Sequence, residues 1–102
     1  MDLVTKKSGE NIVIDVVGNI KSICDGQTIK DAITKAFQDN QQAFIDLCIK
    51  DSFIITSSVI GFLIKTIKVD KILLHVSVGS EELYEMLLEM NLVDIMNVRK
   101  VS

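Results

Sequence analysis

The feature of this chain that most constrains its fold is a regular alternation between strand-like and helix-like hydrophobic patterns. Such alternation favours right-handed crossovers and a mainly parallel sheet. The segment Ser8-Gly9-Glu10 separates the first two strands as a turn, which adds one antiparallel hairpin. The predicted strands are residues 3–5, 11–17, 43–49, 71–78 and 97–101, and the predicted helices are residues 28–40, 58–68 and 80–91.

From this order we predict a single α/β domain over residues 1–102, with a mixed, mainly parallel sheet of about five strands and the helices packed mainly on one face. Thr28 is predicted to cap the first helix, with Asp31 three residues later, after a loop over residues 18–27. Ser80 is predicted to cap the third helix. The predicted core includes Leu83, Leu87 and Met90 of the third helix and Ile72, Leu73, Leu74 and Val76 of the fourth strand.

Composition excludes several classes of function. The chain has 102 residues, of which 48% are hydrophobic and 5% aromatic, and its net charge is -3. The acidic balance, the scattered lysines and the few aromatic residues argue against nucleic-acid binding. The longest apolar segment, residues 53–64, is shorter than the roughly 20 residues that span a membrane. Cys24 and Cys48 form no CxxC pair and are predicted to be small buried hydrophobes in a cytoplasmic protein without a signal peptide.

The sequence contains no clear constellation for catalysis, metal binding or nucleotide binding. His75 lies alone in a predicted strand, with no nucleophile or orienting carboxylate assigned to it. Asp15, Asp46 and Asp70 lie in or near strands, and no spacing pairs them for acid–base chemistry, so we interpret them as structural. No glycine belongs to a phosphate-binding motif. We therefore predict a protein that is not an enzyme and that binds no cofactor or metal.

The segment Thr56-Ser57-Ser58-Val59-Ile60-Gly61 carries the clearest functional signal. It follows a strand-like run and opens a helix, which places its hydroxyl oxygens beside helix N–H groups that lack intrahelical partners. A phosphate there would meet the positive end of the helix and add about -1.5 to -2 charges at pH 7. Two interpretations stay open at this point: the hydroxyls only cap the helix, or one of them is a phosphorylation switch on a binding surface.

The same segment resembles the STAS family, which comprises bacterial anti-anti-sigma factors and related regulatory domains. The family pattern is a strand of apolar-Asp-Leu type, a short loop, then Asp-Ser-Ser/Thr-Gly-Leu-Gly and an apolar helix. The residues that match this pattern are Asp46, Leu47, Ser57, Ser58, Ile60 and Gly61. The order of strands and helices agrees with the family over nearly the whole chain, whereas the residue match outside this segment is loose.

The resemblance implies a regulatory domain that sequesters an anti-sigma serine kinase and so frees a sigma factor. Phosphorylation by that kinase would switch the domain off, and ATP would belong to the kinase. Ser57 matches the phosphate acceptor of the family, and Ser58 and Thr56 are the next candidates. The expected partner surface combines the loop after the second strand with the second helix, and a weak homodimer is left open. The predicted contact residues are Asn19, Lys21, Asp25, Thr56, Ser57, Ser58, Val59 and Phe62.

Two departures from the family pattern keep other functions open. Thr56 stands where the family usually has Asp, and Val59 stands where it has the first Gly. One alternative is a STAS-like scaffold or accessory subunit of a signalling or transport complex, without control by phosphorylation. The other is a small hydrolase that uses Ser57, for which the sequence offers neither a base nor an oxyanion hole.

Overall fold

Five strands and three helices form the described part of the chain, which comprises residues 1–39 and 44–101 of a computed structural model. The strands are β1 (Asp2–Ser8), β2 (Asn11–Val17), β3 (Phe44–Ile49), β4 (Leu74–Val78) and β5 (Val98–Lys100). The helices are α1 (Ile23–Asp39), α2 (Ser57–Lys68) and α3 (Glu81–Glu89). The predicted end of the first helix at Asn40 and the predicted start of the third strand at Ala43 lie outside the described residues.

The strands lie in the sheet in their sequence order, β1-β2-β3-β4-β5. β1 and β2 form the predicted antiparallel hairpin, and the later neighbours all pair in parallel. Each parallel connection moves one strand in the same direction, and right-handed crossovers are strongly favoured, so the connecting helices all fall on one face. The predicted fold class is therefore confirmed.

One face of the sheet supplies the core, because alternate residues of each strand point toward the helices. The register aligns these residues in three apolar rows across the central strands, and every side chain in the rows is buried. The rows are Ile12–Ile45–Leu74, Ile14–Leu47–Val76 and Val16–Ile49–Val78. Buried side chains of the helices, such as Ile33 and Leu63, complete the same cluster.

The face opposite the helices carries polar side chains that connect neighbouring strands. Arg99 Nη2 lies 3.3 Å from Asp46 Oδ2, and the Ser77 hydroxyl donates to Asp46 Oδ1 at 2.9 Å. Nearer the other edge, Lys6 Nζ lies 3.3 Å from the buried carboxylate of Asp15. These contacts agree with the interpretation of both aspartates as structural residues.

The predicted start of the first helix is wrong by five residues. α1 begins at Ile23, because Ser22 and Asp25 form its N-terminal cap. Ser22 Oγ accepts from the Asp25 N–H at 3.1 Å, and the Asp25 carboxylate accepts from the Ser22 N–H at 3.2 Å. Thr28 lies inside the helix, where its hydroxyl donates to the carbonyl of Cys24 at 2.9 Å.

Three residues that were predicted to be buried are exposed. Leu73 is 57% exposed and lies outside the strand, because β4 begins at Leu74 and not at residue 71 as predicted. Met90 is 50% exposed and lies outside the helix, because α3 ends at Glu89 and not at residue 91 as predicted. Cys24 is exposed in the first turn of α1, whereas Cys48 is half-buried on the polar face of the sheet, and both thiols are free. The hydrophobic spacing predicted that these elements exist. It did not predict the residues at which they begin and end, because those depend on tertiary packing.

Candidate functional site

The first turn of α2 brings the three predicted hydroxyl residues together. Thr56 is the N-cap, with φ -78° and ψ 151°, and its Oγ1 accepts from the Val59 N–H at 3.3 Å. Ser57 and Ser58 are the first two helical residues, and both are exposed. The helix therefore starts one residue earlier than predicted, and it presents the serine pair at its positively polarised end.

A lysine from α1 reaches the same turn. Lys30 Nζ donates to Ser58 Oγ at 3.0 Å and lies 5.9 Å from the centroid of the Phe62 ring. The first turn of α2 contains no acidic residue. The helix dipole and the ammonium group therefore act in the same direction, and together they favour an anion at this turn.

The three hydroxyls differ in what their modification would disturb. Phosphorylation of Thr56 would modify the oxygen that caps α2, and phosphorylation of Ser58 would modify the oxygen that now accepts from Lys30. Ser57 lies between them, is exposed and belongs to the same turn. Ser57 is therefore the exposed hydroxyl of this turn that takes part in neither the cap nor the Lys30 contact, and its role as an acceptor stays a prediction.

Val59 faces the interior and cannot contact a partner directly, so its prediction as a contact residue is wrong. Its side chain is 0% exposed. Val59 Cγ2 lies only 3.0 Å from the position that a Cβ would take on Gly26 of α1. The valine thus packs α2 against α1 where a glycine leaves room. Phe62, one turn later in α2, is half-buried beneath Lys30.

The polar residues predicted in the loop between β2 and α1 have separate roles. The Asp25 carboxylate accepts from the backbone N–H groups of Lys21 and Ser22 at 3.0 and 3.2 Å, so it holds the start of α1. These hydrogen bonds, that from Lys21 foremost, lower the pKa of Asp25 below its ordinary value. Asn19 is half-buried, and its Oδ1 is buried without a hydrogen-bond partner in the described part of the chain. Of the three predicted residues, Lys21 is the exposed one.

Ser52, which the sequence does not single out, connects the two loops of the site. It is fully buried, and its Oγ accepts from the Ile20 N–H at 3.1 Å and donates to the Ile54 carbonyl at 2.5 Å. Ile20 belongs to the loop after β2, and Ile54 belongs to the loop after β3. One hydroxyl therefore fixes the spacing of both loops, a contact across 32 residues that no local pattern indicates.

Exposed apolar side chains lie on the loops that Ser52 connects. Ile23, at the start of α1, is 90% exposed, and Phe53 and Ile54, before α2, are 51% and 39% exposed. Single exposed apolar residues are ordinary, whereas several large ones on segments connected by a buried hydrogen bond are a candidate protein-binding surface. Together with Ser57, these three residues are called the docking surface below.

The titratable side chains of the described residues include His75 and Cys48, neither of which belongs to the serine turn. Within residues 1–39 and 44–101, no three His, Cys, Asp or Glu side chains are grouped to hold a metal ion. His75 packs edge-on against the Phe44 ring, with the centroids 4.4 Å apart. Burial, reinforced by the charge of Asp46, raises the pKa of the Cys48 thiol to about 11, which keeps it protonated near neutral pH. None of the described helices combines the length and the hydrophobicity needed to cross a bilayer.

Comparison with known proteins supports the fold. No protein-family model and no curated protein matches this sequence significantly. Among solved structures, the chain is similar to the protein TM1081, determined by NMR, with a TM-score of 0.69 over 95% of this chain and 79% of that chain. The identity is 17%. At this identity the similarity shows a shared α/β fold and carries no information about activity.

Proposed function

We propose that this chain is a STAS-like regulatory domain that acts as an anti-sigma factor antagonist in the bacterial cytoplasm. It binds an anti-sigma serine kinase and is released when that kinase phosphorylates Ser57. The kinase supplies ATP, and this chain catalyses nothing. The observation that carries the proposal is the exposed serine turn at the start of α2, placed beside Lys30 and among exposed apolar side chains.

The switch follows from the charge that a phosphate brings to the docking surface. Unmodified, Ile23, Phe53 and Ile54 can bury apolar area against the kinase, and Ser57 contributes a small neutral hydroxyl. A phosphate on Ser57 adds about -1.5 to -2 charges, and its desolvation opposes burial in an apolar interface. The N–H groups of α2 and the Lys30 ammonium would meanwhile stabilise the phosphate on the free protein.

The two departures from the family pattern are compatible with this role. Thr56 accepts a hydrogen bond from the Val59 N–H, which is the capping contact that an Asp at this position would also make. Val59 packs inside against Gly26 and adds nothing to the exposed surface. Both substitutions therefore leave Ser57 presented at an exposed helix N-terminus.

The replacement of Asp by Thr56 also supports one alternative. It removes a carboxylate next to the acceptor serine, which a kinase can use for recognition, and leaves the first turn without an acid. A scaffold or accessory subunit would bind through the same docking surface, but its binding would not depend on the charge at residue 57. The two functions therefore differ in one measurable property.

The test is capture of the binding partner from the native cell with the wild-type chain and two matched variants. Ser57→Asp adds a charge, whereas Ser57→Asn changes size by a similar amount without charge. We expect the captured protein to contain an ATP-binding serine kinase domain, and we expect Ser57→Asp to lose it while Ser57→Asn retains it. Equal capture by all three proteins, or a partner without a kinase domain, would support the scaffold instead.

A further inference from the structure

We propose that the free edge of β1 is a self-association surface, on which a second copy of this chain pairs antiparallel and joins the two sheets into one. Within the described residues, β1 lies at the end of the sheet and pairs with β2 alone. It has seven residues in an unbroken register, whereas the strand at the other edge, β5, has three. A long regular edge of this kind presents backbone groups that another strand can bind.

The hairpin register determines which backbone groups face outward. Ser8 and Asn11 close a two-residue turn, so they form a hydrogen-bonded pair, and bonded and non-bonded pairs alternate from there. The Phe44 N–H of β3 donates to the carbonyl of Glu10, the second turn residue. The even-numbered residues of β2 therefore bond to β3 and the odd-numbered ones to β1, which agrees with this alternation. The residues of β1 whose N–H and C=O groups point away from β2 are therefore Leu3, Thr5 and Lys7.

Charge selects one register for the pairing of two β1 strands. When Val4 lies opposite Val4 of the second copy, Leu3 and Thr5 form the hydrogen-bonded pairs, and Asp2 lies opposite Lys6 of the second copy. Because the dimer has two-fold symmetry, this ion pair forms twice. Both ion pairs and the central valine pair occupy non-hydrogen-bonded positions, where side chains on one face approach most closely.

The neighbouring symmetric register is less favourable. With Thr5 opposite Thr5 of the second copy, Lys6 would face Val4, and both ion pairs would be lost. In the favoured register, Asp2, Val4 and Lys6 all lie on the face of the sheet opposite the helices, since they pair with odd-numbered residues of β2. Val4 is 46% exposed, and the Lys6 side chain is 65% exposed although its ammonium lies 3.3 Å from Asp15, so a second copy can reach both.

Association through β1 leaves the serine turn free. β2 separates β1 from β3, after which the serine turn follows, so each copy in the dimer keeps its own Ser57 accessible. The inference goes beyond the proposed function and does not rest on it. A result that contradicts self-association through β1 therefore does not contradict the proposed regulation through Ser57, and the reverse also holds.

The first experiment is sedimentation equilibrium of the full chain from micromolar to millimolar concentration. We expect reversible dimers, and we expect Val4→Lys to raise their dissociation constant about tenfold or more, because it places two like charges directly opposite each other. The single chain tolerates this lysine, since Val4 lies opposite the Asp15 carboxylate. Val101→Lys is the matched control: Val101 is 37% exposed beside β5, and the variant adds the same charge at the other edge of the sheet.

Hydrogen exchange of the wild-type chain tests, without any substitution, whether the outer edge of β1 is the surface that pairs. The amides of Leu3 and Thr5 should gain protection as concentration rises, whereas those of Val4 and Lys6, already bonded to β2, should not change. A chain that stays monomeric at millimolar concentration would overturn the proposal. So would dimers that Val101→Lys weakens and Val4→Lys does not, or concentration-dependent protection confined to other strands.

Discussion

The N-termini of α2 and α3 begin with the same kind of cap but carry different charges. In both helices the capping hydroxyl, of Thr56 or of Ser80, accepts the N–H three residues later at 3.3 Å. The next two residues of α3 are Glu81 and Glu82, which complement the positive end of the helix. The first turn of α2 has no acid and instead receives a lysine from α1.

The difference is that acidic residues compensate the positive end of α3, whereas the positive end of α2 has no acidic residue in its first turn. Ser57 occupies the position in α2 that Glu81 occupies in α3, directly after the cap. A phosphate on Ser57 would therefore supply the negative charge that the sequence of α3 supplies permanently. The same charge would lie on the docking surface, where it opposes an apolar interface.

The largest expected effect separates a glycine just before α3 from a glycine inside α2. A Cβ on Gly79, just before the cap of α3, would lie 2.5 Å from the carbonyl oxygen of Lys50. Gly79→Ala should lower the free energy of unfolding by about 2–3 kcal/mol, because the backbone must move. Gly61→Ala is the control: Gly61 lies in α2, no atom of the described residues lies within 4 Å of its Cβ position, and alanine there should stabilise the fold by about 0.5–1 kcal/mol. Urea unfolding measures both, and effects of the same sign would contradict this account of the two glycines.

The caps themselves should be equivalent. Thr56→Ala and Ser80→Ala each remove one side-chain acceptor of the same geometry, so each should cost about 1 kcal/mol of unfolding free energy. Thermal or urea unfolding of the two variants provides the comparison. A cap that costs nothing in one helix alone would show that the two N-termini are not built alike.

Charge substitutions should have smaller effects of opposite sign. Ser57→Asp introduces the missing acid and should stabilise the fold by about 0.3–1 kcal/mol at low salt, whereas Glu81→Gln should destabilise it by a similar amount. Both effects should shrink at high salt, because exposed charges are screened. Unfolding measurements at two ionic strengths check this. A lower free energy of unfolding for Ser57→Asp would contradict the prediction that the N-terminus of α2 stabilises a negative charge.

The smallest expected effect is a change in the pH dependence of stability at α1, whose first turn contains Asp25. The pKa of Asp25 is lowered in the fold, so its contribution to stability is present above the ordinary pKa of about 3.9 and is lost as pH falls through the lower folded value. The free energy of unfolding of the wild type should therefore fall more steeply with acidification than that of Asp25→Asn. Parallel pH profiles would indicate that the carboxylate does not hold the start of this helix.

Local chemistry made the starts of α2 and α3 predictable, and the same chemistry misled at α1. Ser22-x-x-Asp25 and Thr28-x-x-Asp31 are both capping patterns, and the apolar spacing begins only at Ile29. The real first turn presents Ile23 to solvent, so hydrophobic periodicity could not reveal it.

Contacts between distant residues set the rest of the candidate site. Lys30 meets Ser58 across 28 residues, and Ser52 meets Ile20 across 32. Both contacts depend on how α1 and the loop after β3 pack against each other, and that packing has no signature in a single sequence. The serine turn itself was predictable because hydroxyl residues between a strand and a helix form caps.

The most direct measurement of the central claim uses the chain with phosphoserine installed at position 57 and its unmodified form. Calorimetric titration of each into the purified partner kinase gives the two dissociation constants. The account predicts at least about 100-fold weaker binding by the phosphorylated chain, or about 2.7 kcal/mol. Equal affinities would contradict the account, because the charge at the start of α2 would then control nothing.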